Sequence, residues 1–230
     1  MVQTLLFIAA FGIAIILHEI AHGVVAYWLG DDTAKRARRL TLNPIRHIDR
    51  TGSIILPVIL AVGQLLSLGH VAFMFGWAKP VPVNPTHLRL GRYHNPRRLM
   101  ALVAIAGPVT NFLLALLGGL AAKVPFVLSS ALFSYFLACF IVVNLVLGLF
   151  NLIPLPPMDG GRIAVGLLPL PLAAWLAKVE ALGIVLVFLV LFILPLVFQQ
   201  FGIQFDPFGK AMDVVLPLVQ LLTGNAIGNN

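Results

Sequence analysis

The sequence predicts an all-α polytopic membrane protein that carries a small β or re-entrant element. Three observations lead there. Of the 230 residues, 60% are apolar and 10% charged, whereas a soluble domain carries roughly a quarter charged residues; the mean hydropathy is +1.02. Residues 4–29, 99–122, 129–153 and 173–198 are apolar runs of the length, about 20 residues, that a helix needs to cross a bilayer. Eleven of the fifteen basic residues gather in two polar loops, Lys35, Arg36, Arg38, Arg39, Arg46 and Arg50 in 30–52, and Lys79, Arg89, Arg92, Arg97 and Arg98 in 76–98. Basic loops beside apolar segments mark the cytoplasmic side of a membrane.

The same distribution accounts for the net charge of +7. The basic residues serve topology and contact with anionic lipid headgroups, so no nucleic-acid partner is expected. The length suits a single integral-membrane domain over residues 1–230. The one cysteine, Cys139, lies in an apolar run and reads as a small buried hydrophobe, so neither a disulfide framework nor a cysteine metal site is available.

Residues 4–29 form the first helix. They lack a basic leader and exceed the apolar core of a signal peptide. The run 53–75 contains Pro57, Gly63, Gln64, Gly69 and His70 and has a basic loop on each side. A simple crossing would put one of those loops outside, so a hairpin that dips in and returns is expected. Helix 1 then runs inward, 99–122 outward and 129–153 inward again, which returns residues 151–162 to the depth of His18 and His22. Such non-helical backbone needs cover from protein or a water-filled cavity. The run 173–198 adds a further span. Residues 208–222, interrupted by Lys210, Asp213 and Pro217, suit an interfacial helix.

The chemistry lies in His18-Glu19-Ile20-Ala21-His22, inside the first apolar run. Histidines four apart on a helix sit about 40° apart round its axis and reach one ion. A glutamate between them can take a proton from an activated water, as in zinc hydrolases with the His-Glu-x-x-His pattern. Ionisable groups in a membrane helix are costly and mark function. A hydrolytic zinc takes three protein ligands and leaves one position open. Of eight acidic residues, Asp159 stands apart, in Asn151-Leu-Ile-Pro154-Leu-Pro156-Pro157-Met158-Asp159-Gly160-Gly161-Arg162. Prolines and glycines there break the helix and free the backbone to aim a carboxylate.

Four motifs resemble the site-2 proteases, the intramembrane zinc metalloproteases, in their short prokaryotic form. They are His18–His22; Gly76-Trp77-Ala78-Lys79-Pro80-Val81-Pro82-Val83-Asn84; Gly107-Pro108-Val109-Thr110-Asn111; and Asn151-x-x-Pro154-x-Pro156-x-x-Asp159-Gly160, with Met158 where leucine is common. The resemblance implies one zinc held by His18, His22 and Asp159, with Glu19 as general base. It implies a three-helix catalytic core within residues 4–162, plus additional C-terminal helices within 173–222. It also implies β-structure over residues 77–84, where an unwound substrate adds as a strand. The activity implied is hydrolysis of peptide bonds within or near transmembrane segments, by a multi-pass cell-membrane enzyme whose site faces the cytoplasm. The partners implied are a transmembrane protein substrate and membrane lipid. Asn111 and Asn151 fall within motifs and are expected to hold substrate or the developing oxyanion; Asn144 reads equally as helix–helix glue. A metal or proton carrier is the rival reading, since intramembrane acids and histidines serve that chemistry too.

Overall fold

The computed structural model describes residues 1–71, 76–124 and 129–224. Ten α-helices run through them: α1 (Val2–Trp28), α2 (Thr33–Arg36), α3 (Leu56–Leu68), α4 (Pro96–Ala121), α5 (Ala131–Asn151), α6 (Asp159–Leu167), α7 (Leu170–Val179), α8 (Gly183–Phe188), α9 (Leu194–Gln200) and α10 (Pro207–Thr223). Four segments are long and apolar enough to cross a membrane: α1, Arg50–Ser67, α4 and α5. The protein is a multi-pass membrane protein.

Helices α1, α4 and α5 pack against one another in pairs and form the core expected of residues 4–29, 99–122 and 129–153. Their contacts use small residues. Ala10, Ala14 and Ala26 of α1 are fully buried, as is Ala115 of α4. A Cβ on Gly118 would lie 2.9 Å from Ile141 of α5. In lipid, close backbone approach of this kind, rather than water exclusion, drives association. The ends are capped conventionally. Asn95 accepts from the Arg98 amide at 3.2 Å ahead of Pro96, and Ser130 opens α5.

The segment around α3 is an excursion that closes on itself. It starts with a π-helical turn over Arg50–Ile55 and continues as α3 to Gly69 in the left-handed region, φ 75°. The chain is back at its origin by Trp77, whose amide donates to the Gly52 carbonyl at 3.2 Å, while Ser53 Oγ donates to the Trp77 carbonyl at 2.8 Å. Both ends therefore lie at one level. The hairpin expected of 53–75 has this geometry, although its residues 72–75 lie outside the described ones.

Two expectations are corrected. The run 173–198 is not one helix: a 3₁₀ turn at Glu180–Leu182 separates α7 from α8, and α8 runs on through a π-helical turn at Leu189–Ile193 into α9. Gly183 approaches the Pro156–Pro157 turn so closely that a Cβ would lie 2.5 Å from the Pro156 carbonyl, and Pro195 opens α9. Residues 208–222 form α10, which is not among the helices long and apolar enough to cross a membrane, and one face of it packs on the core. Val215 and Val219 of α10 join Ala115, Ala122, Leu137, Ile141 and Leu145 in one core cluster, because Lys210, Asp213 and Pro217 fall on the exposed side. Finally, residues 77–84 are extended without a ladder. Among the described residues the only β-pairing is an isolated bridge between Leu90 and Tyr93.

The tie between Gly52 and Trp77 generates a topology test. Single cysteines in loops 30–52 and 76–98 of a Cys139→Ala protein should both react with an impermeant thiol reagent from the same side of sealed vesicles. Labelling from opposite sides would show a simple crossing.

Candidate metal centre

Helix α1 places His18 and His22 one turn apart, and their Nε2 atoms lie 3.1 Å from each other. Asp159 is the first residue of α6. It is delivered by residues 152–158, whose prolines end α5 and turn the chain back. Gly160 and Gly161 allow this: a Cβ on either would strike the carbonyls of Leu152 and Ile153 or the backbone of Pro156. Asp159 Oδ2 then lies 3.1 Å from His18 Nε2 and 3.3 Å from His22 Nε2. All three side chains are buried.

This triangle fits a metal ion. Three donors at 2.0–2.1 Å from a tetrahedral zinc are about 3.3 Å apart, the spacing found here. Asp159 Oδ2 is buried and accepts no hydrogen bond. Three electron-rich atoms this close repel one another unless a cation or proton sits between them. The far ring nitrogens are already engaged: His22 Nδ1 faces the Val103 carbonyl at 2.8 Å, and His18 Nδ1 faces Asn111 Oδ1 at 2.6 Å. A carbonyl only accepts, so His22 carries its proton on Nδ1 and turns the Nε2 lone pair to the centre.

Gly107 covers the pair. A Cβ there would lie 2.6 Å from both His18 Nε2 and His22 Cε1, so any side chain would occupy the space of the imidazoles. Small-residue packing is what the sequence suggests for Gly107; its place over His18 and His22 appears only in three dimensions.

Glu19 lies beside the triangle, half-buried, and its Oε2 accepts from the Val81 amide at 2.8 Å. The extended segment 77–84 thus crosses α1 at the candidate base. Pro80 and Pro82 have no N–H, so Val81 supplies the one donor of residues 80–82. Three further ties hold the segment. The Lys79 amide donates to the His47 carbonyl at 2.9 Å, Arg39 Nη2 donates to the Lys79 carbonyl at 2.5 Å, and the Asn84 amide donates to Asp31 Oδ2 at 2.7 Å. Arg39 and Asp31 are both buried. The sequence does not distinguish them from their charged loop neighbours, and only their burial marks them.

Asn111 is fully buried, its Oδ1 on His18 and its Nδ2 2.9 Å from Asn144 Oδ1. Both ends of the amide are engaged within the protein. Asn151, half-buried at the end of α5, donates to the Leu147 carbonyl at 3.0 Å. Among the described residues one other acidic–histidine group forms, Asp31, Asp32 and His87. Asp31 there accepts from Thr33 and Asn84, so its role is structural.

A buried two-histidine, one-aspartate donor set with a glutamate beside it, its histidines on a helix of spanning length, fits a membrane metallopeptidase of the His-Glu-x-x-His type. Comparison with known proteins agrees. The model of peptidase family M50 matches residues 119–194. The chain is 44% identical over 190 residues to a Bacillus subtilis protein that carries the name zinc metalloprotease YwhC, covering 78% of this chain and 76% of that one. A Mycolicibacterium smegmatis protein named zinc metalloprotease Rip2 is 31% identical over 159 residues, 68% of this chain and 54% of its own. No solved structure matches. The chain belongs to peptidase family M50, the site-2 protease family, and is a zinc metallopeptidase.

Two predictions follow from this geometry. Metal analysis of the purified protein should find about one zinc per chain, and His18→Ala, Asp159→Ala or Gly107→Ala should each lower it sharply; full zinc in Asp159→Ala would exclude the third ligand. The second concerns Asp31. Burial works to raise its pKa, but hydrogen bonds from Thr33, Asn84 and His87 outweigh this and hold it below its ordinary 3.8. A carboxyl depressed by folding stabilises fully above its ordinary value and loses that contribution as pH falls through the folded one. The melting-temperature gap between wild type and Asp31→Asn should stay constant down to about pH 5 and narrow below about pH 4.

Proposed function

We propose that this metallopeptidase is an intramembrane endopeptidase that cuts peptide bonds within or near transmembrane segments of membrane proteins, from a site facing the cytoplasm. One observation carries the reading: His18, Glu19 and His22 sit on a helix of membrane-spanning length, and Asp159, at the start of the short helix α6 that follows α5, closes the triangle with the two histidines. His18, His22 and Asp159 would hold zinc, which supplies Lewis acidity toward the scissile carbonyl and toward water.

Glu19 takes a proton from the attacking water on its carboxylate and delivers it to the leaving amine. A helical substrate hides its carbonyls in i→i−4 hydrogen bonds, so the segment to be cut must unwind first. Segments with glycine or proline unwind at least cost. The extended segment 77–84 lies beside Glu19 and offers backbone to an unwound strand. Asn151, half-buried at the end of α5, is the amide that remains available to meet substrate. The basic loops 30–52 and 76–98 support a site that faces the cytoplasm and contact there with anionic lipid, and the bacterial relatives support a prokaryotic cell membrane.

Purified protein in detergent, given a model transmembrane substrate, should cleave it and stop when zinc is chelated. Glu19→Gln should keep its zinc and lose roughly 10²–10⁴-fold in rate. Cleavage by Glu19→Gln at the wild-type rate would exclude this mechanism. Zinc or proton flux through reconstituted protein that shows no proteolysis would favour a carrier.

A further inference from the structure

His18, Asn111 and Asn144 form a line of hydrogen bonds across the three core helices, one residue from each of α1, α4 and α5. Asn144 Nδ2 donates to the Phe140 carbonyl at 2.8 Å. Asn111 Nδ2 donates to Asn144 Oδ1 at 2.9 Å and also faces the Ala14 carbonyl at 3.5 Å. Asn111 Oδ1 faces His18 Nδ1 at 2.6 Å. Both asparagines are 0% exposed, so no water competes for these bonds.

The direction of the line is dictated from its far end. A backbone carbonyl only accepts, so Phe140 requires the NH₂ of Asn144 and leaves its oxygen for Asn111. Asn111 must then present its NH₂ to Asn144, a choice the Ala14 carbonyl reinforces. Its oxygen is left for His18, and an oxygen there requires the proton on Nδ1. The Nε2 lone pair consequently points to Asp159 Oδ2 and His22 Nε2. Helix glue alone would need an amide pair but not this polarity.

We propose that Asn111 and Asn144 are positioning residues for the metal, a relay that holds His18 in the Nδ1–H tautomer with Nε2 ready to bind zinc. Asn144 acts only through Asn111, and Asn111 only through His18. Such outer partners of metal-bound histidines fix ring orientation and raise basicity, and their loss costs about 10–100-fold in affinity. The proposal rests on His18 as a zinc ligand, not on peptide cleavage.

The experiment is a double-mutant cycle on zinc affinity, measured by chelator competition on purified protein without any peptide. Leucine matches asparagine in shape without its polar atoms. Asn111→Leu should weaken zinc binding by about 10–100-fold, Asn144→Leu less, and the double variant no more than Asn111→Leu, since a serial relay is broken once. Nitrogen-15 shifts of His18 in the metal-free protein should show Nδ1–H in the wild type and a tautomer mixture in Asn111→Leu. Wild-type zinc affinity in either single variant, losses that multiply in the double, or an unchanged tautomer overturns the relay. Should Asn111→Leu not fold, Asn144→Leu gives both readouts one link further out. Failure here leaves the proteolytic reading standing, whereas an active Glu19→Gln enzyme removes that reading and leaves the relay untouched.

Discussion

Three lone-pair-bearing atoms, two imidazole nitrogens and a carboxylate oxygen, are held within 3.3 Å of one another in a buried apolar setting. Nothing in a lipid-facing helix bundle favours this arrangement by itself. Burial penalises the charge and proximity adds repulsion, so the surrounding fold has to impose it and a cation has to relieve it. Much of the architecture serves that constraint. Helix α4 must pass close enough over α1 that only glycine fits at 107. The end of α5 must turn back sharply enough that α6 starts against the backbone of its own turn, which selects glycine at 160 and 161.

Helix α1 meets two demands along one face. His18 and His22 turn toward α4 and the start of α6, and Glu19 meets the extended segment at Val81. That segment has little hydrogen bonding of its own. It is held by bonds to loop residues His47 and Arg39, to Asp31 beyond α1 and to Gly52 at the root of the α3 excursion. Asp31 is thereby linked to the neighbourhood of Glu19 through the backbone of residues 81–84.

Polar groups within the core are satisfied in series. The amides of Asn111 and Asn144 use the carbonyls of Ala14 and Phe140 as end points, and His22 uses Val103. Unpaired groups of this kind are costly at membrane depth. Here the carbonyls that meet the need also set the direction of the bonds up to His18 and His22.

The sequence by itself determined the class of fold and singled out the residues that the fold brings together at the candidate site. Apolar runs of spanning length can satisfy their backbone in a bilayer only as helices, so α1, α4 and α5 were legible from composition and length. The i, i+4 spacing placed His18 and His22 on one face because helical geometry is local. Asp159 was legible because prolines and glycines break a helix wherever they occur. The α3 excursion was legible from charge, since a loop rich in arginine resists crossing. What only the tertiary structure decided depends on distance between segments remote in the chain. The place of Gly107 over the imidazoles, the tie from Val81 to Glu19, the break of the 173–198 run at Gly183 and the packing of α10 on α5 all arise from approach of one backbone to another. Asn111 shows the limit most clearly: an asparagine in a membrane helix must find a partner, but that its partners within the fold are His18 and Asn144 is set by which faces of α1, α4 and α5 meet.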